Sequence, residues 1–228
     1  MTKALFFDAG PVITLVISRL SWILPLLKKK FGGEFYITPA VYYELVERPL
    51  LVKRFKFEAL QVLKMIKDET LVIYEDVPQK KVDQLISLAN NTFSIKGKSL
   101  DIIQEGEMES LASALESNAS AVVMDERTLR LFIENKDAMQ HLLGHRFNAE
   151  ISINRENLNS FASQTKGVPI IRSIELIATA YTLGFLKDYV PPRKGGKEIL
   201  LDSVLWAAKY NGSAVTESEV EEIKKKLL

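Results

Sequence analysis

Four carboxylic acids stand where the sequence frees a side chain from packing. Asp8 closes the apolar run Ala4–Phe7 in KALFFDAGP, and Asp125 closes the run 121–124 in SAVVMDE. Glu44 follows TPAVYY, and Glu107 lies in the first turn of a helix expected over 105–117. None of the four falls on the apolar stripe of its own segment. Carboxylates gathered in a small volume disfavour one another's ionised form unless a cation compensates them. An oxygen-only donor set suits a hard divalent cation such as Mg²⁺. Such a site suits phosphodiester hydrolysis, because the metal lowers the pKa of an attacking water and stabilises the leaving oxygen. Plainer roles compete. Asp8 is also a helix cap ahead of Pro11, Glu44 also suits an exposed place near a helix N-terminus, and Glu47, Glu109 and Glu126 are alternatives to Glu44, Glu107 and Asp125.

The elements that would position these acids follow from the apolar pattern. A parallel strand covered by helices on both faces carries no polar alternation. Ala4–Phe7, residues 121–124 and GVPIIRS read that way, with EFYI and TLVIYEDV as further strands. Thr38 and Pro39 mark the cap and first residue of a short helix that ends before Pro49. Further helices are expected over KRFKFEALQVLKMIKDE, residues 80–91 and IELIATAYTLGF. Residues 11–31 read as one helix bent at Pro25, and IKGKSLDIIQ reads as a loop. This alternation argues for a three-layer α/β/α fold with a central parallel sheet. The expected domain spans residues 1–187 with a polar insert at about 133–167, read as a helix, a short strand AEISIN and another helix, and residues 188–228 form a helical extension packed on it. His141 and His145 are spaced for one helix face, but Gly144 weakens that helix and no third ligand is near, so a solvated insert is expected rather than zinc.

Composition narrows the chemistry. The 228 residues are 47% hydrophobic, carry a net charge of +1 and include no cysteine. The core is therefore ample, any polyanion must be held by local patches, and disulfides, a thiolate nucleophile and cysteine-ligated metals are excluded. The stretch 11–31 is broken by Ser18, Arg19, Ser21 and Pro25 and falls short of the roughly 20 apolar residues of a membrane span. No membrane association is expected, and without a basic leader or cleavage site the expected location is cytoplasmic. Neither GxxxxGK[ST] nor GxGxxG occurs, which removes the nucleotide-cofactor readings. Lys96 and Lys98, ahead of Glu107, and Arg127 and Arg130, just past Asp125, are the expected contacts to a phosphate backbone.

The segments FFDAGPVITL, YITPAVYYELVERP, GEMESLASALESNASAVVMDERTLRL and VPIIRSIELIATAYTLGF resemble, in order and spacing, those of PIN-domain proteins, an α/β/α family of metal-dependent ribonucleases. The resemblance covers roughly residues 3 to 187 and matches the family's four acids to Asp8, Glu44, Glu107 and Asp125. It implies an Mg²⁺ or Mn²⁺ site, cleavage of single-stranded RNA and a homodimer. An antitoxin-like or RNA-processing protein is a further partner that the resemblance brings in. Ala9 and Met124 stand where many relatives carry Ser or Thr, whose hydroxyls support metal ligands. That departure motivates a rival reading, a non-catalytic RNA- or protein-binding module. A toxin nuclease is a third reading, set against by the insert and by the tail from Leu200.

Overall fold

Every residue of Ala4–Phe7 is buried, and successive side chains enter different cores. Leu5 and Phe7 belong to one apolar cluster, Ala4 and Phe6 to another, because strand side chains alternate between faces. A strand filled on both faces must lie inside a three-layer molecule, and it does. The computed structural model describes residues 3–134 and 136–228; residue 135, within the expected insert, and residues 1 and 2 lie outside the described residues.

Along the chain the strands are β1 (Ala4–Phe7), β2 (Glu34–Ile37), β3 (Val72–Ile73), β4 (Phe93–Ile95), β5 (Lys98–Ser99), β6 (Ala121–Val123), β7 (Ser152–Ile153) and β8 (Ile170–Ile171). The first helices are α1 (Ala9–Ile17), α2 (Ile23–Phe31), α3 (Pro39–Tyr42), α4 (Arg48–Leu50), α5 (Lys56–Lys67) and α6 (Gln79–Asn90). They are followed by α7 (Glu105–Glu116), α8 (Arg127–Glu134), α9 (Lys136–Phe147), α10 (Arg155–Gln164), α11 (Ser173–Thr182), α12 (Gly196–Tyr210) and α13 (Glu217–Leu227). The main sheet is wholly parallel, in the order β3-β2-β1-β6-β8, with helices on both faces. β1 sits between β2 and β6, so the chain leaves it in one direction and later returns on its other side. In open α/β sheets such a switch point leaves a crevice at the carboxyl ends of the strands.

Three local expectations are corrected. Residues 11–31 form two helices, broken at residues 18–22 rather than bent at Pro25. Arg19 adopts φ 58°, its amide donates to the Val16 carbonyl, and the Leu20 amide donates back to Leu15. Burial of Leu20 completes this helix stop, which needs no glycine because the returning apolar contact holds it. Of the stretch read as a loop, residues 95–99 close the hairpin β4–β5 while 100–104 have no regular structure, and β7 pairs antiparallel with β4, so the expected insert and that hairpin build one small sheet. The strand read in AEISIN is β7, but each piece is too short to be stable alone, and their pairing lies beyond a local pattern. Finally, the helix after Thr38 does not stop before Pro49. A π turn over Tyr43–Glu47, in which the Arg48 amide reaches back to Tyr43, joins α3 to α4. Pro49 has no amide to donate to Leu45, and the wider turn accommodates that missing bond.

α12 and α13 complete the core. Leu200, Leu201, Leu205 and Val220 lie in the same cluster as Leu5 and Phe7. Arg172 ties α11 to α13, donating to Glu219 at 2.6 Å and to Glu175 in its own first turn. Among the described residues no helix is long and apolar enough to cross a membrane.

Candidate active site

The Asp8 amide donates to the Val123 carbonyl at 2.9 Å, which fixes the end of β1 beside the end of β6. Asp125 follows two residues later. A cleft of ≈ 390 Å³ opens there, and its walls carry Asp8, Glu44, Glu107, Asp125 and Glu126. Arg127 is the one basic residue among the described residues lining it, with Gln104 as a neutral amide.

Four of the five acids are placed by helix starts. Asp8 caps α1, with Oδ2 accepting from the Gly10 amide at 3.3 Å. Glu107 closes a capping box on α7, its Oε2 accepting from the Gln104 amide at 3.3 Å. Glu126 caps α8 by accepting from the Leu129 amide at 2.8 Å. Asp125 Oδ1 takes the Ser173 amide, the first of α11, at 2.8 Å. The positive ends of four helices thus converge on one cleft and favour negative charge in it.

Asp125 is held from three directions. Besides Ser173, Thr14 Oγ1 donates to Oδ2 at 2.9 Å and Ser213 Oγ donates to Oδ1 at 3.1 Å. The hydroxyl support that positions 9 and 124 lack therefore arrives from α1 and from the loop after α12. Sequence reasoning missed Thr14, Ser173 and Ser213, because each is remote from Asp125 in the chain and ordinary in its own segment.

The choices among neighbouring acids are made by burial and partners. Glu109 is buried and accepts from the Ala40 amide at 3.0 Å, so it caps α3 in place of Thr38. Glu47 is exposed, while Glu44 lies on the cleft wall in the π turn. A Cβ at Gly106 would stand 3.0 Å from Glu44 Oε1, so the missing side chain lets Glu44 lie against the start of α7. Arg127 reaches the cleft. Lys96 and Lys98 lie on the β4–β5 hairpin and Arg130 farther along α8, and none of the three lines it. His141 and His145 are exposed on α9, which runs through Gly144.

Five acids facing one arginine leave charge uncompensated. Burial pushes Asp8 from the usual 3.8 to about 7, against the Ala9 and Gly10 amides and with help from Glu44 and Asp125. Burial likewise raises Glu107 from 4.5 to about 8, reinforced by Asp8, Glu126 and Glu44 against the Gln104 amide. Glu44 is raised by burial and by Glu109, with Arg48 opposing.

The donors are all hard oxygens, which suit Mg²⁺ or Mn²⁺ in kind. Gly10 keeps the floor open, since a Cβ there would lie 3.4 Å from Asp8 Oδ2 and 3.5 Å from the Asp125 Cβ. Among the described residues, no three of His, Cys, Asp or Glu already stand in an arrangement that could hold a metal ion. Asp8 Oδ2 and Glu107 Oε2 accept protein amides, and both oxygens of Asp125 accept protein amide or hydroxyl donors.

A parallel α/β/α sheet with an acidic crevice at its switch point defines a class of fold and site. A family model described as PIN domain matches residues 4–138, more than half of the 228 residues, and the chain belongs to that family. Nuclease-like chemistry and divalent metals are general in the family. Searches of curated proteins and of solved structures return no match. The matched span contains Asp8, Glu44, Glu107 and Asp125, whereas Ser173 and Ser213 lie beyond it.

Proposed function

We propose that the protein is a divalent-metal-dependent endoribonuclease that hydrolyses phosphodiester bonds of single-stranded RNA. The observation that carries this reading is the convergence of Asp8, Glu44, Glu107 and Asp125 on one cleft at the carboxyl ends of β1 and β6. These four would hold Mg²⁺ or Mn²⁺, which when bound supplies an activated water and neutralises charge at the phosphate. Without a cation, Glu107 carries a proton near neutral pH and gives it up as positive charge enters. Asp125, tied to Thr14, Ser173 and Ser213, would be held in a fixed orientation for the metal. Arg127 and Gln104 sit where they can donate to phosphate oxygens, the guanidinium in bidentate fashion.

The test is cleavage of structured and single-stranded RNAs in Mn²⁺, Mg²⁺ or EDTA, with Asp8→Asn alongside the wild type. Metal-dependent cuts that vanish in a folded Asp8→Asn are expected; equal cutting by the variant sinks the reading. A second reading draws on the engagement of Asp125 by three protein donors. Under it the protein is an RNA-binding module without strand scission, and it predicts RNA binding that persists in chelator.

A further inference from the structure

The acid cleft has too few cations to attract a polyanion, yet it continues into a second depression. A groove of ≈ 210 Å³ between α1 and α5 shares Ile13 and Glu44 with the cleft. Phe55 stands on its wall, within the segment 53–57, Lys-Arg-Phe-Lys-Phe, exposed at every residue. Phe57 is 70% and Phe55 39% exposed, and the Arg54 guanidinium lies 5.3 Å from the centre of the Phe55 ring. Tyr43, the neighbour of Glu44, is 52% exposed. The other acid on the groove wall is Glu58, whose Oε2 is buried.

Exposed rings alternating with cations are what an unpaired nucleic acid uses: phosphates meet the cations and bases stack on the rings. A duplex hides its base faces and gains only the charges. We propose that residues 53–57 and Tyr43 form a stacking platform for the unpaired nucleotides beside the scissile phosphate, with the strand crossing Ile13 from cleft to platform. The path of the strand rests on the nuclease reading above; the binding itself does not. Charge favours this occupant, since Lys53, Arg54 and Lys56 complement phosphate, and so does the continuity of the groove with the cleft. The apolar exposure of Leu51 and Leu60 on the same face makes a second copy of the chain the rival occupant.

The test is anisotropy of labelled oligo-U and oligo-A of about ten nucleotides, and of a duplex, in EDTA. It compares the wild type, Phe57→Ala, Phe57→Trp and the triple variant Lys53→Ala, Arg54→Ala, Lys56→Ala. Phe57→Ala is expected to weaken both single strands about tenfold and the duplex far less, with Phe57→Trp close to wild type. The triple variant is expected to lower the salt slope by about 2. Wild type that binds no RNA, or variants that match it in affinity and slope, overturn the platform. So does a concentration-dependent dimer lost in Phe57→Ala while RNA affinity stays. Metal-dependent cleavage is scored separately: Phe57-dependent binding without cleavage keeps the platform and removes the nuclease, and cleavage with Phe57-independent binding does the reverse.

Discussion

Asp8 and Asp125 end neighbouring strands, but their surroundings set them to different work. Asp125 has hydrogen bonds on both oxygens from Thr14, Ser173 and Ser213, so its orientation is decided before any ligand arrives. Thr14→Val removes one of these bonds and leaves a buried oxygen short of a donor. We expect a loss of about 1–3 kcal/mol in urea unfolding and about 10–100-fold weaker activation by metal; unaltered activation would remove Asp125 from the site. Asp8 and Glu107 instead carry the charge problem. Their folded values, about 7 and about 8, lie above the usual 3.8 and 4.5, so folding takes up protons between these limits. Their stabilising contribution is full below about pH 4 and is lost as pH rises through about 7 to 8. In EDTA the Tm should therefore fall from about pH 5 to about pH 8.5, more shallowly in Asp8→Asn, and Mg²⁺ should restore more of it at the alkaline end. Thermal unfolding across this range checks the sign, and a Tm that climbs with pH would contradict it.

Helix α7 shows how an element passes order to the site. It is buried from Gly106 through Ala114, and its small residues let the backbone approach its neighbours. Ser110 Oγ donates to the Phe7 carbonyl, and Glu109 takes the Ala40 amide, so one helix fixes both the end of β1 and the start of α3. Glu44 follows in the π turn that α3 enters. Glu109→Ala should cost about 0.5–2 kcal/mol through the lost cap and lower cleavage by letting Glu44 drift, while Glu109→Gln, whose carbonyl still accepts from Ala40, should lose less of both. Urea unfolding paired with cleavage rates separates these effects; equal loss in Gln and Ala would show that charge, not the cap, is what Glu109 provides.

At the level of the molecule, the site is closed by the part of the chain that lies outside the matched family span. Ser213 belongs to the loop after α12, and Leu200, Leu201 and Leu205 of that helix are in the core. Burying each leucine contributes about 1.5–3 kcal/mol, so together they rival the stability of a whole domain, about 5–15 kcal/mol. A chain ended at residue 195 should therefore lose cooperative unfolding by circular dichroism rather than persist as a smaller folded domain. A truncated chain that unfolds sharply and still cleaves RNA would refute this.

The layered α/β/α plan was legible in residues whose information is local. Ala4–Phe7 is apolar without alternation because it is covered on both faces, and DAGP announces a helix start because its cap is made by neighbouring residues, whereas the start marked by TPAV takes its cap from Glu109. The acids at the ends of β1 and β6 were legible for the same reason. What depended on packing was everything decided by distant partners. Thr14 and Ser213 reach Asp125 across 111 and 88 residues. Glu109 is drawn from the cleft by an amide 69 residues away. The strand in AEISIN was legible but its pairing as β7 with β4 was not, and the stop at Arg19 holds because Leu20 returns to the core. A local pattern records which face of a segment is apolar and where a helix can begin, but the partner of a buried oxygen is fixed only when the layers close on it.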